Sequence, residues 1–514
     1  MKALLVYPTF PPTFWSFAYA LPFVRKRAAL PPLGLLTVAA MLPAAWPKRL
    51  VDLNVEPLKE EDLAWADLVF IGAMAVQRRS AEEVIARGHR AGKRVVCGGP
   101  LFTVEPESFP QADHLVLGEA EATLPPFLED LARGEPQRVY RPEGFPPLER
   151  TPVPAWDLID LRRYATLSIQ FSRGCPFSCD FCNVTALFGH RPRQKSAAQV
   201  LAELDELVRR GWRGPVFFVD DNLIGNRASL RSALLPALIA WRRGKKGLPF
   251  NTEVSIDLAD DPELMALMVQ AGFNTVFVGI ETPADESLRE CRKTQNRRDL
   301  LASVKSMQRA GLQVQGGFIV GFDSDPLSIF QKQIDFIQRS GIVTAMVGLL
   351  QAPPGTRLFE RLKAENRLLG RLSGDNTDGS TNILPRMGLE ALLEGYRSIL
   401  RHIYSPRGYY RRVLTFLREY RDAAGVEAPL DLQRFLAFFR SLVRLGVLGR
   451  ERFHYWRLLA WTVLRRPRLF PLAMTLAIQG YHFRKVCEPL LKPAAPAPRR
   501  PRGIDPLRLR ASDR

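Results

Sequence analysis

A chain of 514 residues that is 46% hydrophobic and 24% charged is too long for one ordinary core and too apolar to stay disordered, and a prior of about 150 residues per domain predicts about three domains. The formal charge of +19, from 72 Lys+Arg against 53 Asp+Glu, would attract phosphates, anionic lipid or nucleic acid, but much of the basic excess falls after residue 400 and so belongs to one region. Six cysteines, three of them between Cys175 and Cys182, do not make the disulfide framework of a secreted domain and predict a cytoplasmic protein in a reducing compartment.

The first eight residues hold too short an apolar run for a signal peptide and read as a first strand. Residues 28–47 carry no charge, yet Pro31, Pro32, Pro43 and Pro47 leave about eleven residues of helix, which predicts a buried helix and not a membrane span. Strands at 3–7, 49–53, 68–71, 94–97 and 114–117 alternate with helical runs, the pattern of a doubly wound, Rossmann-like parallel sheet over 1–135. Residues 136–165 hold Pro142, Pro146, Pro147, Pro152 and Pro154 and read as an interdomain linker, with Trp156 as an anchor onto a neighbour.

A second β/α series follows, with strands near 168–172, 215–220, 250–255, 275–281, 315–321 and 344–350. Its first helix is framed by Ser196 as N-cap and Gly211 as stop, with Val200, Leu201, Leu204, Leu207 and Val208 on one apolar face. Six such units predict a partial (β/α)6 TIM-like barrel over 166–385, with function at the carboxyl ends of the strands. Residues 386–490 form a basic, aromatic α-helical region, and the Pro/Arg-rich end, 491–514, is expected to be disordered.

Directly after the first barrel strand comes Gln170-Phe-Ser-Arg-Gly-Cys175-Pro-Phe-Ser-Cys179-Asp-Phe-Cys182-Asn, a CxxxCxxC segment. One loop can then wrap three thiolates around a small inorganic cluster, and three thiolates on a four-iron cubane leave one iron without a protein ligand. Zinc is the rival, but a structural zinc site takes four ligands, and His190 is the nearest fourth candidate. Cys97, Cys291 and Cys487 are isolated and read as small buried hydrophobes. Other strand ends offer Val219-Asp-Asp-Asn222, Glu253, Gly279-Ile-Glu281-Thr-Pro283, Gly316-Gly-Phe-Ile-Val-Gly321 and Gln351-Ala-Pro-Pro-Gly355-Thr356. Taken singly, the aspartates read equally as an N-cap pair, Glu281 as a solvated acid and the glycines as turns.

With its Arg-Gly-Cys-Pro flank and the aromatic Phe181 before the last cysteine, the cysteine motif resembles the radical S-adenosylmethionine (SAM) superfamily. The resemblance implies a 4Fe-4S cluster on Cys175, Cys179 and Cys182, SAM on the open iron, and SAM contacts from Phe181, Asp220, Asp221, Asn222, Glu253, Glu281, Gly317 and Gly321. The front domain, with Pro31-Pro-Leu-Gly-Leu-Leu, Gly98-Gly-Pro100 and Gly118-Glu119, looks like that of the cobalamin-dependent members. That likeness implies a corrin at the strand ends, at loops 73–79, 98–100 and 118–121, through Gln77, Arg78, Gly98, Gly99, Pro100, Gly118 and Glu119. There is no Asp-x-His-x-x-Gly motif, so the cobalt would lack a histidine ligand, with Gln77 or Arg78 near its lower face; non-binding is the other explanation.

Ser168-Ile-Gln-Phe-Ser-Arg-Gly-Cys, Phe217-Phe-Val-Asp-Asp-Asn-Leu-Ile-Gly-Asn-Arg227 and the helical tail resemble the hopanoid C-2 methylase branch. The implied activity is methylation of an unactivated carbon of an apolar lipid or small molecule. One SAM would give a methyl to cobalamin and a second the radical, with an electron from a donor such as ferredoxin or flavodoxin. Ring formation or oxidation without methyl transfer, and a non-catalytic cofactor sensor, are the alternatives. In the tail, Phe435, Phe438, Phe439, Leu442, Tyr455, Trp456 and Trp461 with interleaved arginines suit either peripheral contact with the inner face of a membrane or a helical cap; nucleic acid is the weaker partner.

Overall fold

The computed structural model describes residues 1–245, 247–422 and 432–492, so the expected disordered tail lies, from residue 493 on, outside the described residues. The first sheet comprises β1 (Ala3–Tyr7), β2 (Lys48–Asp52), β3 (Leu68–Gly72), β4 (Arg94–Gly98), β5 (His114–Val116) and β6 (Val139–Tyr140), all parallel, in the order β2-β1-β3-β4-β5-β6. Alternate residues of its strands serve two layers. Leu5, Phe70 and Val96 pack with Leu35 and Leu36 of the helix Leu33–Met41, and Leu4, Val69 and Val95 pack with Val84 and Ile85 on the other face. Both faces are therefore covered by helices, as a parallel sheet requires, and the strand order reverses between β1 and β3.

β6 has no counterpart in the sequence reading, because two residues inside a Pro-rich run are too few for alternation to show. The run is anchored on its neighbours. Val139 pairs with Leu115, Trp156 is fully buried, and the Tyr164 hydroxyl donates to the buried Asp52 carboxylate at 3.0 Å. The prolines argue for a spacer, but the apolar side chains between them settle the packing.

The second sheet starts at β7 (Leu167–Ile169) and, after a short antiparallel hairpin of β8 (Ser172–Arg173) and β9 (Arg193–Gln194), continues with β10 (Val216–Phe218) and β11 (Phe250–Glu253). It ends with β12 (Phe273–Glu281), β13 (Gln313–Val320) and β14 (Ala345–Leu349). Apart from the hairpin, each strand pairs in parallel with the next in the chain, the partial barrel that the β/α alternation predicts. Helix Ala197–Arg209 is capped as expected: the Ser196 hydroxyl accepts from the Gln199 amide at 3.2 Å, and the Gln199 side chain accepts from the Ser196 amide at 2.9 Å, a reciprocal cap.

The carboxyl-terminal helices brace the barrel with tyrosines. The hydroxyls of Tyr396, Tyr404 and Tyr420 donate to the carbonyls of Val347, Ala345 and Gly311 at 3.1, 2.6 and 3.1 Å. They also reach the front domain, where Phe483 stacks on Phe14 at 4.2 Å. Among the described residues no helix is long and apolar enough to cross a membrane. Trp156→Ala should destabilise the protein by about 3–5 kcal/mol through the cavity it leaves, read as a shift in the urea unfolding midpoint; an unchanged midpoint would refute its role as an anchor.

Candidate active site

The chain passes from β7 straight into the cysteine loop, and Asp220 beyond β10 holds that exit. Its carboxylate accepts from the Phe171 amide (3.1 Å), the Ser172 amide and the Ser172 hydroxyl (2.5 Å), while burial pushes the carboxyl up to about 6 against those bonds. With 0% exposure, Asp220 positions the strand end through these bonds. Arg173 lies opposite Arg193 in the hairpin, which closes the loop. Gly174 turns at φ +95°, and a Cβ there would meet three carbonyl oxygens at 2.9–3.1 Å, so the residue before Cys175 has no room for a side chain.

Cys175, Cys179 and Cys182 stand half-buried with free thiols. Burial raises all three, Cys182 to about 12, and the charge of neighbouring cysteines adds to the rise at Cys175 and Cys182. Thiolates are therefore disfavoured here without a cationic partner, which iron supplies. Among the described residues no three His, Cys, Asp or Glu side chains converge on one metal ion. A cubane binds each thiolate through a different iron, so three sulfurs spread along one loop match its demands better than those of a four-ligand zinc site.

Across from the loop, the ends of β10 and β11 bring two more acids together. Burial, then the charge of Asp220, pushes Asp221 up to about 6, and burial beside Asp221 and Asp220 pushes Glu253 up to about 8. Buried carboxyls with so little cationic company suit a ligand that brings its own positive charge, and SAM carries an ammonium and a sulfonium. Asn222 is engaged with the protein, accepting from the Ser255 amide at 3.1 Å and bonding the Cys175 thiol.

Glu281 ends β12 in the left-handed region, φ +62°, and pairs with Lys293 at 2.5 Å. Motif reasoning missed Lys293, which lies in the loop after β12 with no spacing relation to the cysteines. Its ammonium sits 5.8 Å over the Phe181 ring. Burial opposes that charge, but Glu281, Cys179 and Cys182 outweigh burial and raise its pKa. Phe181 also meets Phe322 edge-on at 6.2 Å, beside Gly321, whose amide donates to the buried Asp325 carboxylate at 2.9 Å. Gly317 faces the barrel interior, where a Cβ would come within 2.8 Å of the Phe277 ring.

At the crest of the first sheet, Gly98, Gly99, Pro100 and Gly118 remain partly exposed beyond β4 and β5, open to a ligand laid over backbone. Gln77 and Arg78 are both engaged with the protein. Gln77 is 1% exposed and donates to the Pro8 carbonyl at 2.5 Å, and Arg78 pairs with Glu105 at 2.8 Å and stacks on Phe109. In the same loop the Met74 and Arg79 side chains stand exposed.

Glu119 takes part in the contact that joins the two sheets. Its carboxylate is taken up by Arg173 at 2.6 Å and by Arg193 at 2.6 and 3.0 Å, while Glu121 receives Arg173 at 2.9 and 3.0 Å. Both glutamates are 3% exposed and the arginines 12% and 18%. The hairpin that closes the cysteine loop is thus clamped to the crest of the first sheet by four buried charges.

Residues 169–337 match the radical SAM superfamily, 27–128 the B12 binding domain, and 356–494 a domain of unknown function. The chain is 42% identical over 496 residues to an uncharacterised methyltransferase of Synechocystis sp., covering 94% of this chain and 91% of the relative. It is 33% identical over 471 residues to the hopanoid C-2 methylase of Rhodopseudomonas palustris, covering 89% and 88%. The chain belongs to the cobalamin-dependent radical SAM family. It is a radical SAM enzyme of a methyltransferase branch, and membership implies a 4Fe-4S cluster, SAM and cobalamin. A radical SAM methyltransferase from Kitasatospora setae, solved with cobalamin and a 4Fe-4S cluster bound, shares the fold over 96% of this chain and 100% of its own, with a TM-score of 0.62 at 16% identity.

Burial opposes the charge of Glu121, but the Arg173 guanidinium outweighs it and holds the carboxyl at about 2. That stabilisation is present above the unfolded value of about 4.3 and is lost as pH falls through the folded value. Arg173→Met strands the buried Glu121 carboxylate, Glu119 keeping Arg193, so it should cost about 3–5 kcal/mol at neutral pH. The gap from the parent should narrow below pH 4, where the stranded Glu121 carboxyl protonates. Urea unfolding at the two pH values checks this, and a gap that does not change with pH would refute the clamp.

Proposed function

We propose that the enzyme methylates an unactivated carbon of an apolar, hopanoid- or isoprenoid-like substrate. The observation that carries this is the likeness to the hopanoid C-2 methylase, which runs through both cofactor regions and the helical end, 88% of that protein. In this reading Cys175, Cys179 and Cys182 hold the cluster, with SAM beside them among Phe181, Asp221, Glu253, Glu281 and Gly321, and the corrin lies over Gly98, Gly99, Pro100 and Gly118. The domain limits that go with it are 1–135 for the corrin domain, 166–385 for the barrel and 386–490 for the helical region. When bound, the cluster and SAM supply a 5'-deoxyadenosyl radical and the corrin supplies a methyl group.

The chain's own residues do the placing. Asp221 and Glu253 meet the positive charge of SAM, and Lys293 holds the Glu281 side chain in place at the cluster side. Arg173 and Arg193 hold the cysteine loop against the corrin crest, so that a carbon between them is within reach of both cofactors. Phe181, Phe322 and Phe277 keep water from a reactive centre. A ferredoxin or flavodoxin in the cytoplasm delivers the electron.

Anaerobic reconstitution with cobalamin, SAM bearing a deuterated methyl and a hopanoid-containing lipid extract should place deuterium in a C-methylated lipid. Formation of 5'-deoxyadenosine with no labelled product would favour ring formation or oxidation instead. Changing Cys175, Cys179 or Cys182 to Ala should abolish both the visible absorbance of the cluster and 5'-deoxyadenosine formation, whereas Cys97→Ala should leave both intact. Full SAM cleavage by any of the three variants would overturn the ligand assignment.

A further inference from the structure

Nine of the twenty large apolar side chains that stand exposed among the described residues fall between Phe435 and Leu464. They are not scattered. Phe435, Phe439, Val443 and Val447 follow one another at four-residue intervals along one side of the segment Leu432–Val447, while Ala437, Ser441 and Leu445 on the opposite side are buried. On the next helix, Arg452–Arg465, the exposed Phe453, Trp456 and Leu464 share the outward face. The usual amphipathic rule is therefore inverted here, with apolar residues turned to solvent although the inner face is already well packed.

The charge around this face has one sign. Residues 432–470 contain nine arginines and a single acid, Glu451, and Glu451 is buried in an ion pair with Arg484. Arg450, Arg452, Arg457, Arg465 and Arg468 are exposed beside the apolar side chains. A second copy of the same face would bring like charges together. A surface of phosphate headgroups over acyl chains answers both features at once.

The face is also tied to the barrel interior by an aromatic chain. Arg440 donates to the Phe23 carbonyl at 2.6 Å and Arg444 to the Tyr481 hydroxyl at 2.9 Å. Next to Tyr481, His482 packs against Tyr19 and Phe17 at 5.9 and 5.3 Å. Phe17 leads to Trp15, which lies 5.5 Å from Phe277 and donates to the Met346 sulfur at 3.0 Å. Trp15 and Tyr19 are 37% and 36% exposed, so the wetted side of this chain is itself aromatic.

We propose that the face between Phe435 and Leu464 docks on an anionic lipid bilayer, from which the aromatic chain through Tyr19 and Trp15 guides an apolar substrate toward the barrel. Docking stands on the surface alone; the guiding role rests on the apolar substrate proposed above. The test is co-sedimentation of the full-length, cluster-loaded enzyme with vesicles of phosphatidylcholine alone or mixed with phosphatidylglycerol, at low and high salt. Binding to the mixed vesicles that falls with salt is expected. The double variant Phe453→Glu, Leu464→Glu should bind at least tenfold more weakly while keeping cluster absorbance and 5'-deoxyadenosine formation. No binding to the mixed vesicles, or equal binding by the variant, would overturn the docking face without touching the methylation proposal. A dimer in sedimentation velocity that the double variant dissolves would overturn it in favour of self-association.

Discussion

Four buried charges, Arg173 and Arg193 against Glu119 and Glu121, are the constraint on which the rest of the arrangement depends. The proposed radical methylation asks that two large cofactors on two separate sheets face the same carbon, and nothing in either sheet alone fixes the distance between them. The hairpin that closes the cysteine loop answers this by lending both of its arginines to acids at the crest of the first sheet. Buried ion pairs contribute little net stability but are costly to break singly, so the clamp acts through specificity of docking more than through strength. The Pro-rich segment supports the same alignment from outside, with Trp156 in the shared core and Thr151 donating to Glu121 at 2.7 Å.

Charge in the barrel mouth is organised in the opposite way. Asp221 and Glu253 sit side by side with their carboxyls pushed upward, and Lys293 is committed to Glu281. A pocket left with unanswered acids is poised for a cationic ligand, and binding one would bring both carboxyls back toward their ionised forms. Asp220 shows how adjacent residues take different parts: its carboxylate anchors the loop through the Phe171 and Ser172 amides, while that of its neighbour Asp221 lies near Glu253.

The fold was largely legible in the sequence because its strands are short, β-branched runs separated by helices with readable caps, as at Ser196. The cysteine loop was legible because its spacing is local. What escaped depends on contacts between distant segments. Lys293 lies more than a hundred positions from the thiols it influences, and no local pattern marks it. Glu119 and Gln77 stand at the expected strand ends, yet their side chains turn to Arg173 and to the Pro8 carbonyl, a choice made by partners elsewhere in the chain. β6 was hidden by its two-residue length, and the inverted polarity of the helix Arg452–Arg465 shows only once burial is known.

If both cofactors serve one carbon, their products must appear together. The most direct measurement is the yield of 5'-deoxyadenosine and S-adenosylhomocysteine against methylated lipid during anaerobic turnover of the reconstituted enzyme. The account predicts equal amounts of all three. Methylated lipid formed with S-adenosylhomocysteine but without 5'-deoxyadenosine would contradict it, since the methyl would then have moved without a radical.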